Sequence, residues 1–375
     1  GTVIVDTYEA SPFKDMGTAN PNGSQRYYIG HVDWTGVNGL IEYTGSDKFS
    51  AVLQMGTSSQ KYQWEGFYTA APSTLSRKIT VDGGYIKGGA NFRANDNSNF
   101  FFNVGQIMRP PSFDGVFPNA DYDFEEADDI LNESFTSFEL GYGFRSSNFK
   151  GTINAYHTVW GDRTLRRSTS IDDQGVRIIY SGVEQTHQGI EGEMTWYPSS
   201  RLRINGMFSL GDWKYTKNFQ GDAYFIDNNQ PAGSTGTLYL DGVKIGDAAQ
   251  TVLYLGFDYK LSSNLSVDFD MMSYDNLHGR FGPLDSEFNS DNNRGSIKLP
   301  SWGTADLGAT YSFNLLGYDA RARLNVNNLF DEEYLSQSQT NFHNDGGRTW
   351  NGINVENNVY FGKGTTWNLG LNINF

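Results

Sequence analysis

The sequence predicts an all-β fold, and more specifically a transmembrane antiparallel β-barrel. Two observations predict it: about thirteen segments in which apolar and polar residues alternate strictly, and a regular alternation of short turns with long connections. No stretch shows a convincing helical period. A third observation, charges of both signs on one face of the strands, indicates that this face meets water or a second protein layer.

Composition agrees with this fold and excludes several others. The chain has 375 residues, 15% aromatics, 43 glycines and no cysteine, with a formal charge of −15. The charge argues against nucleic-acid binding, and the absence of cysteine excludes disulfides and thiolate metal sites. The apolar runs are too short for a membrane-spanning helix. A mean hydropathy of −0.52 is still compatible with a membrane barrel, because only alternate residues touch lipid.

The alternating segments are the predicted strands, and each has one apolar face. The last of them ends on an aromatic residue, Phe375. The predicted strands are residues 37–43, 49–64, 78–93, 99–108, 136–144, 151–160, 188–197, 202–215, 251–259, 265–274, 304–313, 320–330 and 364–375.

The connections between these strands alternate in length without exception. Turn-forming clusters predict hairpins at Gly45-Ser46-Asp47, Asn95-Asp96-Asn97-Ser98, Ser146-Ser147-Asn148, Pro198-Ser199-Ser200, Ser262-Ser263-Asn264 and Leu316-Gly317-Tyr318-Asp319. The long connections are residues 65–77, 109–132, 161–186, 217–246, 275–303 and 331–363. One end of the strand array therefore carries tight turns and the other carries all the long loops, as in barrels with short periplasmic turns and long extracellular loops.

The alternation assigns each side chain to a face. The predicted outward face includes Phe138, Leu140, Tyr142, Phe144, Leu253, Leu255, Phe257 and Tyr259. The predicted inward face includes Glu139, Glu191, Glu193, Arg203, Asn205, Asp268, Asp270, Arg321, Arg323, Asn325 and Asn327. An unpaired charge in a dry core costs several kcal/mol, so the interior is expected to be wet or plugged.

The strand count also leads us to expect that this sequence is a part of a longer protein. A spanning sheet needs a partner for every strand, and an odd count near thirteen is unusual for a bacterial barrel. The sequence also begins at Gly1 without a signal segment. Residues 1–375 are accordingly predicted to be the C-terminal part of one barrel domain.

Several stretches resemble TonB-dependent outer-membrane receptors, in particular those of the Bacteroidetes. They are Asn103-Val104-Gly105-Gln106-Ile107-Met108-Arg109-Pro110-Pro111-Ser112-Phe113, Asn132-Glu133-Ser134-Phe135, Phe138-Glu139-Leu140-Gly141-Tyr142, His187-Gln188-Gly189-Ile190-Glu191-Gly192-Glu193 and Asn325-Val326-Asn327-Asn328-Leu329-Phe330-Asp331-Glu332-Glu333-Tyr334, with the terminal Phe375. The resemblance implies a barrel of about 22 strands, closed by an N-terminal plug. It implies that the plug and the first strands lie outside this sequence.

The resemblance also implies a role for three inward glutamates. In that family, glutamates at the positions of Glu139, Glu191 and Glu193 bind arginines of the plug. A carboxylate facing a guanidinium makes a bidentate pair, which would hold the plug in register with the wall and could still be broken by force. The alternative is that they face lumen water or pair with arginines on neighbouring strands, such as Arg203. Arg203, Arg321 and Arg323 are predicted to share the plug-facing wall.

An acidic segment in one long connection is a candidate cation or substrate loop. It contains Asp121, Asp123, Glu125, Glu126, Asp128 and Asp129, between Asp114 and Glu133, with no Lys or Arg. Such oxygen-rich clusters suit calcium or attract a cationic substrate. The spacing is not that of an EF-hand, and a solvated external loop is the alternative.

Aromatic residues crowd other long connections. Trp213, Tyr224, Phe225 and Trp350 are candidate ligand contacts, because rings beside polar residues stack on sugars or aromatic chelates. Packing within the loops and an aromatic girdle are the alternatives. Trp160, Trp196, Tyr259 and Trp367 are predicted to be outward girdle residues.

No catalytic or metal site is predicted. The five histidines are not at metal-ligand spacing, and no nucleophile elbow, phosphate-binding glycine loop or zinc-protease motif is present. We expect no cofactor, apart from calcium in an extracellular loop, and no enzymatic activity.

The favoured interpretation is a receptor that imports a scarce or bulky nutrient across the Gram-negative outer membrane. By resemblance, the substrate classes are siderophores, glycans, peptides or cobalamin. The implied partners are outer-membrane lipid, the plug and remaining strands, a TonB-type energy transducer and a surface lipoprotein. A passive porin is the first alternative, and a soluble β-sandwich adhesin or sugar-binding protein is the second.

Overall fold

The computed structural model describes residues 2–3, 28–66, 74–118, 126–127, 130–171, 174–225, 230–282 and 285–374. One antiparallel sheet dominates these residues. It contains thirteen long strands: β1 (Tyr28–Ser46), β2 (Phe49–Gly66), β3 (Ile79–Asn95), β4 (Ser98–Arg109), β5 (Glu133–Arg145), β6 (Phe149–Ile171), β7 (Gln174–Ser199), β8 (Leu202–Tyr215), β9 (Thr251–Lys260), β10 (Leu265–Asp275), β11 (Trp302–Leu315), β12 (Tyr318–Asn327) and β13 (Thr366–Asn374).

Each long strand pairs with the next one along the chain, so the sheet is an antiparallel meander. All thirteen predicted segments coincide with these strands, which confirms the predicted fold class. The period of two is a reliable signal here because each strand has one face in an apolar environment and one in a polar environment. β2 to β12 have partners on both sides.

Short and long connections occupy opposite ends of the sheet, as predicted. The six short turns join β1 to β2, β3 to β4, β5 to β6, β7 to β8, β9 to β10 and β11 to β12. We call the end with these turns the periplasmic end and the opposite end the extracellular end, following outer-membrane barrels. One of the two-residue turns, between β11 and β12, has Leu316 at φ 54° and Gly317 at φ 93°, and positive φ at both positions is characteristic of a type I′ hairpin.

One predicted loop is a strand pair instead. Residues 161–186 were expected to be irregular, but β6 and β7 continue through most of them as a long hairpin. Val176, Ile178 and Tyr180 are buried there, because a second hairpin, Phe219–Phe225 with Pro231–Leu238, pairs with β7 and covers them. The alternation was present in the sequence, but the covering hairpin comes from a distant connection.

The remaining elements are short. Thr2–Val3 pairs with β1, Thr74–Leu75 with β2, Leu335–Ser338 with Val359–Phe361, and Thr349–Trp350 with Ile353–Asn354. A four-residue helix spans Phe113–Val116, and a 3₁₀ turn spans Ser286–Asn289. Within the described ranges, every helix is too short or too polar to cross a membrane.

The outward face of the wall is apolar and exposed, as predicted. Leu140, Leu255 and Leu371 have 60%, 40% and 60% of their surface exposed, values that would be unusual in a soluble core. Aromatic pairs such as Phe100 with Tyr142, at 5.1 Å between ring centroids, lie on the same face near the periplasmic end. Exposure of this kind in a continuous band is typical of a lipid-facing surface.

The buried apolar clusters lie in the extracellular part of the molecule. The largest combines β7 with the covering hairpin and Phe288 of the 3₁₀ turn. Another joins Leu277, Leu299 and Leu335 from two different long connections. The wall itself encloses no apolar core, so burial organises the loops while the lipid-facing strands depend on ladder hydrogen bonds.

Candidate functional site

Three glutamates on the inner face of the wall are bound only by neutral neighbours. Asn103 Nδ2 donates to Glu139 at 2.9 Å, and Ser209 Oγ donates to Glu191 at 3.0 Å. Thr152 Oγ1 lies 3.4 Å from Glu193. Within the described part of the chain, none of these carboxylates has a Lys or Arg partner at ion-pair distance.

Other carboxylates of the same face are paired with arginine. Arg203 Nε donates to Asp258 at 2.8 Å. Arg323 donates from both terminal nitrogens to Asp268, each at 2.9 Å. Both pairs are partly exposed to the lumen, and the bidentate geometry of the Arg323–Asp268 pair fixes these two side chains against the wall.

The bridge between Asp268 and Arg323 crosses the intervening strand at Gly308. Asp268 is on β10, Gly308 faces it on β11, and Arg323 is on β12. A Cβ at Gly308 would lie 2.1 Å from Asp268 Oδ2 and 2.7 Å from Arg323 Nη2. The glycine therefore makes the space in which the ion pair lies flat.

The alternative pairing of the glutamates with Arg203 is wrong, because Arg203 is occupied by Asp258. Arg321 also faces the lumen, and the structure gives it no ion-pair partner among the described residues. The inner face thus combines neutralised arginine–aspartate pairs with a separate group of acceptors, Glu139, Glu191 and Glu193.

Most of the acidic loop lies outside the described residues. This part includes Asp121, Asp123, Glu125, Asp128 and Asp129. Glu126 is described, and Arg77 forms an ion pair with it. Glu133, at the end of the loop, pairs with Arg109. Across the described ranges, no cluster of three or more potential His, Asp or Glu ligands lies together.

The four candidate aromatic contacts are all packed against protein. Trp213 Nε1 donates to the Tyr156 hydroxyl at 2.9 Å. The Arg177 guanidinium lies 5.9 Å from the Tyr224 ring, and Phe225 packs on the largest apolar cluster. Trp350 makes an edge contact with Phe361 at 5.1 Å. The Trp213 ring also contacts His187, which lines a cavity.

That cavity lies at the extracellular end of the lumen and has a volume of about 860 Å³. Its wall side comes from the inner faces of β6, β7 and β8, and its lid from three long connections. The wall residues are Trp160, Arg163, Gln185, His187 and Tyr215. The lid residues used below are Asp247, Arg280, Phe281, Asp285 and Phe342. Its size suits a drug-sized ligand.

Trp160 was predicted to belong to the outward girdle, and the structure places it on the inner face. It pairs in register with Phe135 and Gln185, and its ring stacks on Phe135 at 4.9 Å. It has the same parity as Tyr156, which lies opposite Glu139. The prediction was wrong because it rested on the position of Trp160 near a strand end, whereas the alternation of faces along β6 places this ring inward.

The lid is held by ion pairs between connections. Arg280 pairs with Asp247, which also accepts from Gln337 Nε2 at 2.8 Å. Arg294 pairs with both Glu287 and Asp345, at 2.6 Å each. The Arg294 guanidinium beside Glu287 lowers the pKa of that carboxyl to about 2. These contacts tie the connection after β10 to the connections after β8 and β12.

Arg163 and His187 are the cavity residues that sequence analysis missed. His187 follows from the alternation, because it is four residues before Glu191 on the same face. The alternation does not predict the inward position of Arg163, because the strand register shifts between Trp160 and Arg163. Gly161 and the positive φ of Asp162 mark that irregularity.

Comparison with known proteins agrees with the geometry. Residues 6–329 match the family described as "TonB dependent receptor-like, beta-barrel". No match was found among curated proteins.

Three solved structures show how far the similarity extends. The siderophore receptor PiuA from Acinetobacter baumannii has a TM-score of 0.66 at 15% identity, covering 92% of this chain and 44% of that chain. The ferric yersiniabactin uptake receptor FyuA from Yersinia pestis has 0.60 at 11%, covering 93% and 46%. The FrpB iron transporter from Neisseria meningitidis has 0.59 at 14%, covering 92% and 45%. This chain therefore spans less than half the length of these structures.

At such low identity the structural likeness establishes the fold, and the family match carries the assignment. The match covers most of the sequence and includes the strands that bear the inner-face glutamates. The chain belongs to the β-barrel family of TonB-dependent receptors of the Gram-negative outer membrane.

Proposed function

We propose that this chain forms the C-terminal wall of an outer-membrane receptor that imports a scarce or bulky nutrient with energy from a TonB-type transducer. The observation that carries the proposal is the contrast on the inner face. Asp258 and Asp268 are neutralised by arginines of the wall, whereas Glu139, Glu191 and Glu193 are not. Three acceptors without a cation suit a partner that brings its own arginines.

The partner proposed for these glutamates is a plug domain inside the barrel. A charge-assisted hydrogen bond contributes roughly 1.5–3 kcal/mol, so a few such bonds hold a plug and remain breakable by a pull. A buried carboxylate without a partner is costly, which favours occupation of these positions whenever the lumen is filled.

The edges of the sheet support the proposal that further strands complete the barrel. In the described residues β13 pairs only with β12, so its other side presents free backbone groups. Unpaired backbone groups in hydrocarbon cost several kcal/mol each. A barrel of about 22 strands would pair both edges, and the matched receptors are more than twice as long as this chain.

The proposed mechanism follows from the two ends of the molecule. Substrate binds between the extracellular loops, and a pull on the plug opens a path along the polar wall. The substrate class remains a proposal: siderophores are favoured over glycans, peptides and cobalamin because matched proteins are named as siderophore and iron receptors. The proposed role is transport and involves no catalysis.

Three finer proposals rest on sequence features alone. The proposed relationship to receptors of the Bacteroidetes rests on the sequence motifs at residues 103–113, 132–135, 138–142, 187–193 and 325–334. Calcium binding rests on the acidic loop, whose centre is outside the described residues. A surface lipoprotein over the extracellular loops rests on the resemblance to TonB-dependent receptors.

The test is solute leakage through the full-length receptor in proteoliposomes. Replacing Glu139, Glu191 and Glu193 together by glutamine removes the charge and keeps the shape of each side chain. We expect faster swelling in small sugars, because the plug loses its charge-assisted contacts. The control is the same replacement at Glu332, Glu333 and Glu356, which are exposed in the connection after β12.

Each outcome has a clear meaning. Swelling that rises only with the inner-face replacement supports the plug contact. Equal, slow swelling in both variants would show that these glutamates do not hold a plug. Fast swelling of the unsubstituted receptor would instead identify an open porin.

A further inference from the structure

Buried nitrogens without hydrogen-bond partners collect at the extracellular cavity. They are Nε1 of Trp160, Nε of Arg163 and Nε2 of His187, and all three residues line the same cavity wall. Buried polar groups are normally satisfied, and an unsatisfied one requires an explanation such as a missing ligand or water. All three lie behind one cavity wall, so the described residues of that wall offer these nitrogens no acceptor.

The charge next to these groups is also uncompensated. The Arg163 guanidinium lies 3.7 Å from the Trp160 ring centroid, and no carboxylate in the described residues pairs with it. Trp160 in turn stacks on Phe135, and Arg109 lies 5.7 Å from that ring. Arg109 is neutralised by Glu133. The two arginines thus flank one aromatic stack, and Arg163, at the cavity end, is the one without a carboxylate at ion-pair distance among the described residues.

The carboxylates of the lid are already engaged. Asp247 binds Arg280 and Gln337. Asp285 accepts from the backbone N–H of Glu287 at 3.1 Å, as the cap of the 3₁₀ turn. Neither carboxylate is therefore free to neutralise Arg163.

Aromatic side chains complete the cavity. Tyr215 lies on the wall, and Phe281 and Phe342 lie on the lid. Phe281 is fixed by Tyr215 at 5.6 Å and by Phe288 at 4.3 Å. Rings held in this way form a slot for a flat group, because stacked and tilted ring pairs are favoured at these distances.

We infer that this cavity binds an aromatic carboxylate, with the carboxylate on Arg163 and the ring among Tyr215, Phe281 and Phe342. The planar guanidinium matches a carboxylate in two-point geometry, and desolvation above Trp160 strengthens that contact. This assignment rests on the proposed import function, since it names the class of ligand that the receptor takes.

The experiment is fluorine NMR of small probes added to the purified full-length receptor. Para-fluorobenzoate is the anionic probe, para-fluorobenzamide the neutral one and para-fluorobenzylamine the cationic one. We expect line broadening that saturates for the benzoate and is much weaker for the other two. Water as the sole occupant would give no preference for the anion.

Substitutions in the same cavity locate the binding. Arg163→Gln is expected to weaken benzoate binding about 10-fold or more, through loss of a charge-assisted bidentate contact. The control, Arg348→Gln, removes an exposed arginine of the connection after β12 that does not line the cavity, and should change binding little. Arg163→Lys keeps the charge, loses the planar fork and should give an intermediate affinity, which separates recognition from misfolding.

Equal binding of all three probes, or benzoate binding that is unaffected by Arg163→Gln, would overturn the assignment. Weak binding that Arg348→Gln reduces as much as Arg163→Gln would show a general attraction of anions and would also overturn it. Neither result affects the plug proposal, because leakage is measured without any ligand.

Discussion

At the scale of single residues, a glycine on one strand can leave the space for an ion pair between the two strands beside it. Gly308 is the clearest case, because the Asp268–Arg323 pair lies over it and a Cβ would overlap both partners. Gly370 on β13 faces Arg323 in the register but has open space around a hypothetical Cβ. Both glycines therefore face the lumen, but an ion pair passes above Gly308 on a strand paired on both sides, whereas Gly370 is open and lies on β13, which pairs only with β12 in the described residues.

Gly308→Ala is expected to destabilise the barrel by about 1 kcal/mol, because a displaced ion pair of this exposure contributes at most about that much. Gly370→Ala should be neutral. The receptor is heated in steps and run on a gel that is kept cold. The measurement is the temperature at which half of the folded band is lost. In an Arg323→Gln background, Gly308→Ala should destabilise the barrel less. An equal loss of stability there would show that displacement of the ion pair does not cause the effect.

The inner-face glutamates illustrate what single residues could reveal in advance. Their orientation followed from alternation alone. That Arg203 would be taken by Asp258 could not be predicted, because strand alternation does not specify the cross-strand register. A carboxylate that accepts from a neutral neighbour, such as Glu191, and one that pairs with an arginine, such as Asp258, look alike in the sequence.

At the scale of elements, the short turns set the register of each hairpin. The β11–β12 turn places Leu316 in the left-handed region, where a non-glycine residue costs roughly 1 kcal/mol. Leu316 is also 91% exposed. Asn-Gly is the preferred pair for a type I′ turn, and here only the second position has the preferred residue.

Leu316→Asn is expected to stabilise the receptor by about 0.5–1 kcal/mol, because asparagine tolerates this backbone conformation. The urea midpoint of unfolding from detergent should rise accordingly. Leu261→Asn is the control, since Leu261 lies exposed in another short turn without a positive φ. An equal gain in both variants would assign the effect to removal of an exposed leucine.

The long elements show where sequence patterns were insufficient. The extension of β6 and β7 beyond the membrane carries Val176, Ile178 and Tyr180 with a period of two, but the prediction treated it as a loop. What makes it a stable strand is the hairpin Phe219–Phe225 with Pro231–Leu238, which pairs with β7. The local period of two was therefore insufficient, because the partner that stabilises this strand comes from a distant connection.

At the scale of the whole molecule, the extracellular loops form a packed layer on the wall. Apolar clusters and ion pairs join connections that are far apart in sequence. Arg294 binds Glu287 in its own connection and Asp345 in the connection after β12. The cavity exists because this layer closes over the inner faces of β6 to β8.

Acid is expected to loosen this layer. The pKa of Glu287 is lowered to about 2 in the folded protein from an ordinary value of 4.5. A lowered carboxyl pKa adds stability that is complete above pH 4.5 and is lost as the pH falls towards 2. Hydrogen exchange of the segment around Asp345, corrected for intrinsic rates, should therefore increase across that interval.

Glu287→Gln should remove this part of the acid response, because glutamine does not titrate, and should raise exchange at neutral pH. Glu356→Gln, at an exposed site in the connection after β12, is the control. Identical acid profiles with and without Glu287 would show that other carboxylates tie the loops together.

The sequence by itself determined the barrel wall: its thirteen strands, the face of nearly every side chain, the ends with short and long connections, and the family. It could do so because lipid on one side and water or protein on the other impose a local period of two on every strand. Only the tertiary structure decided which charges are paired, that β6 and β7 extend above the membrane, and that Trp160, Arg163 and His187 meet in one cavity. Those features depend on register shifts and on contacts between distant connections, which no local period encodes.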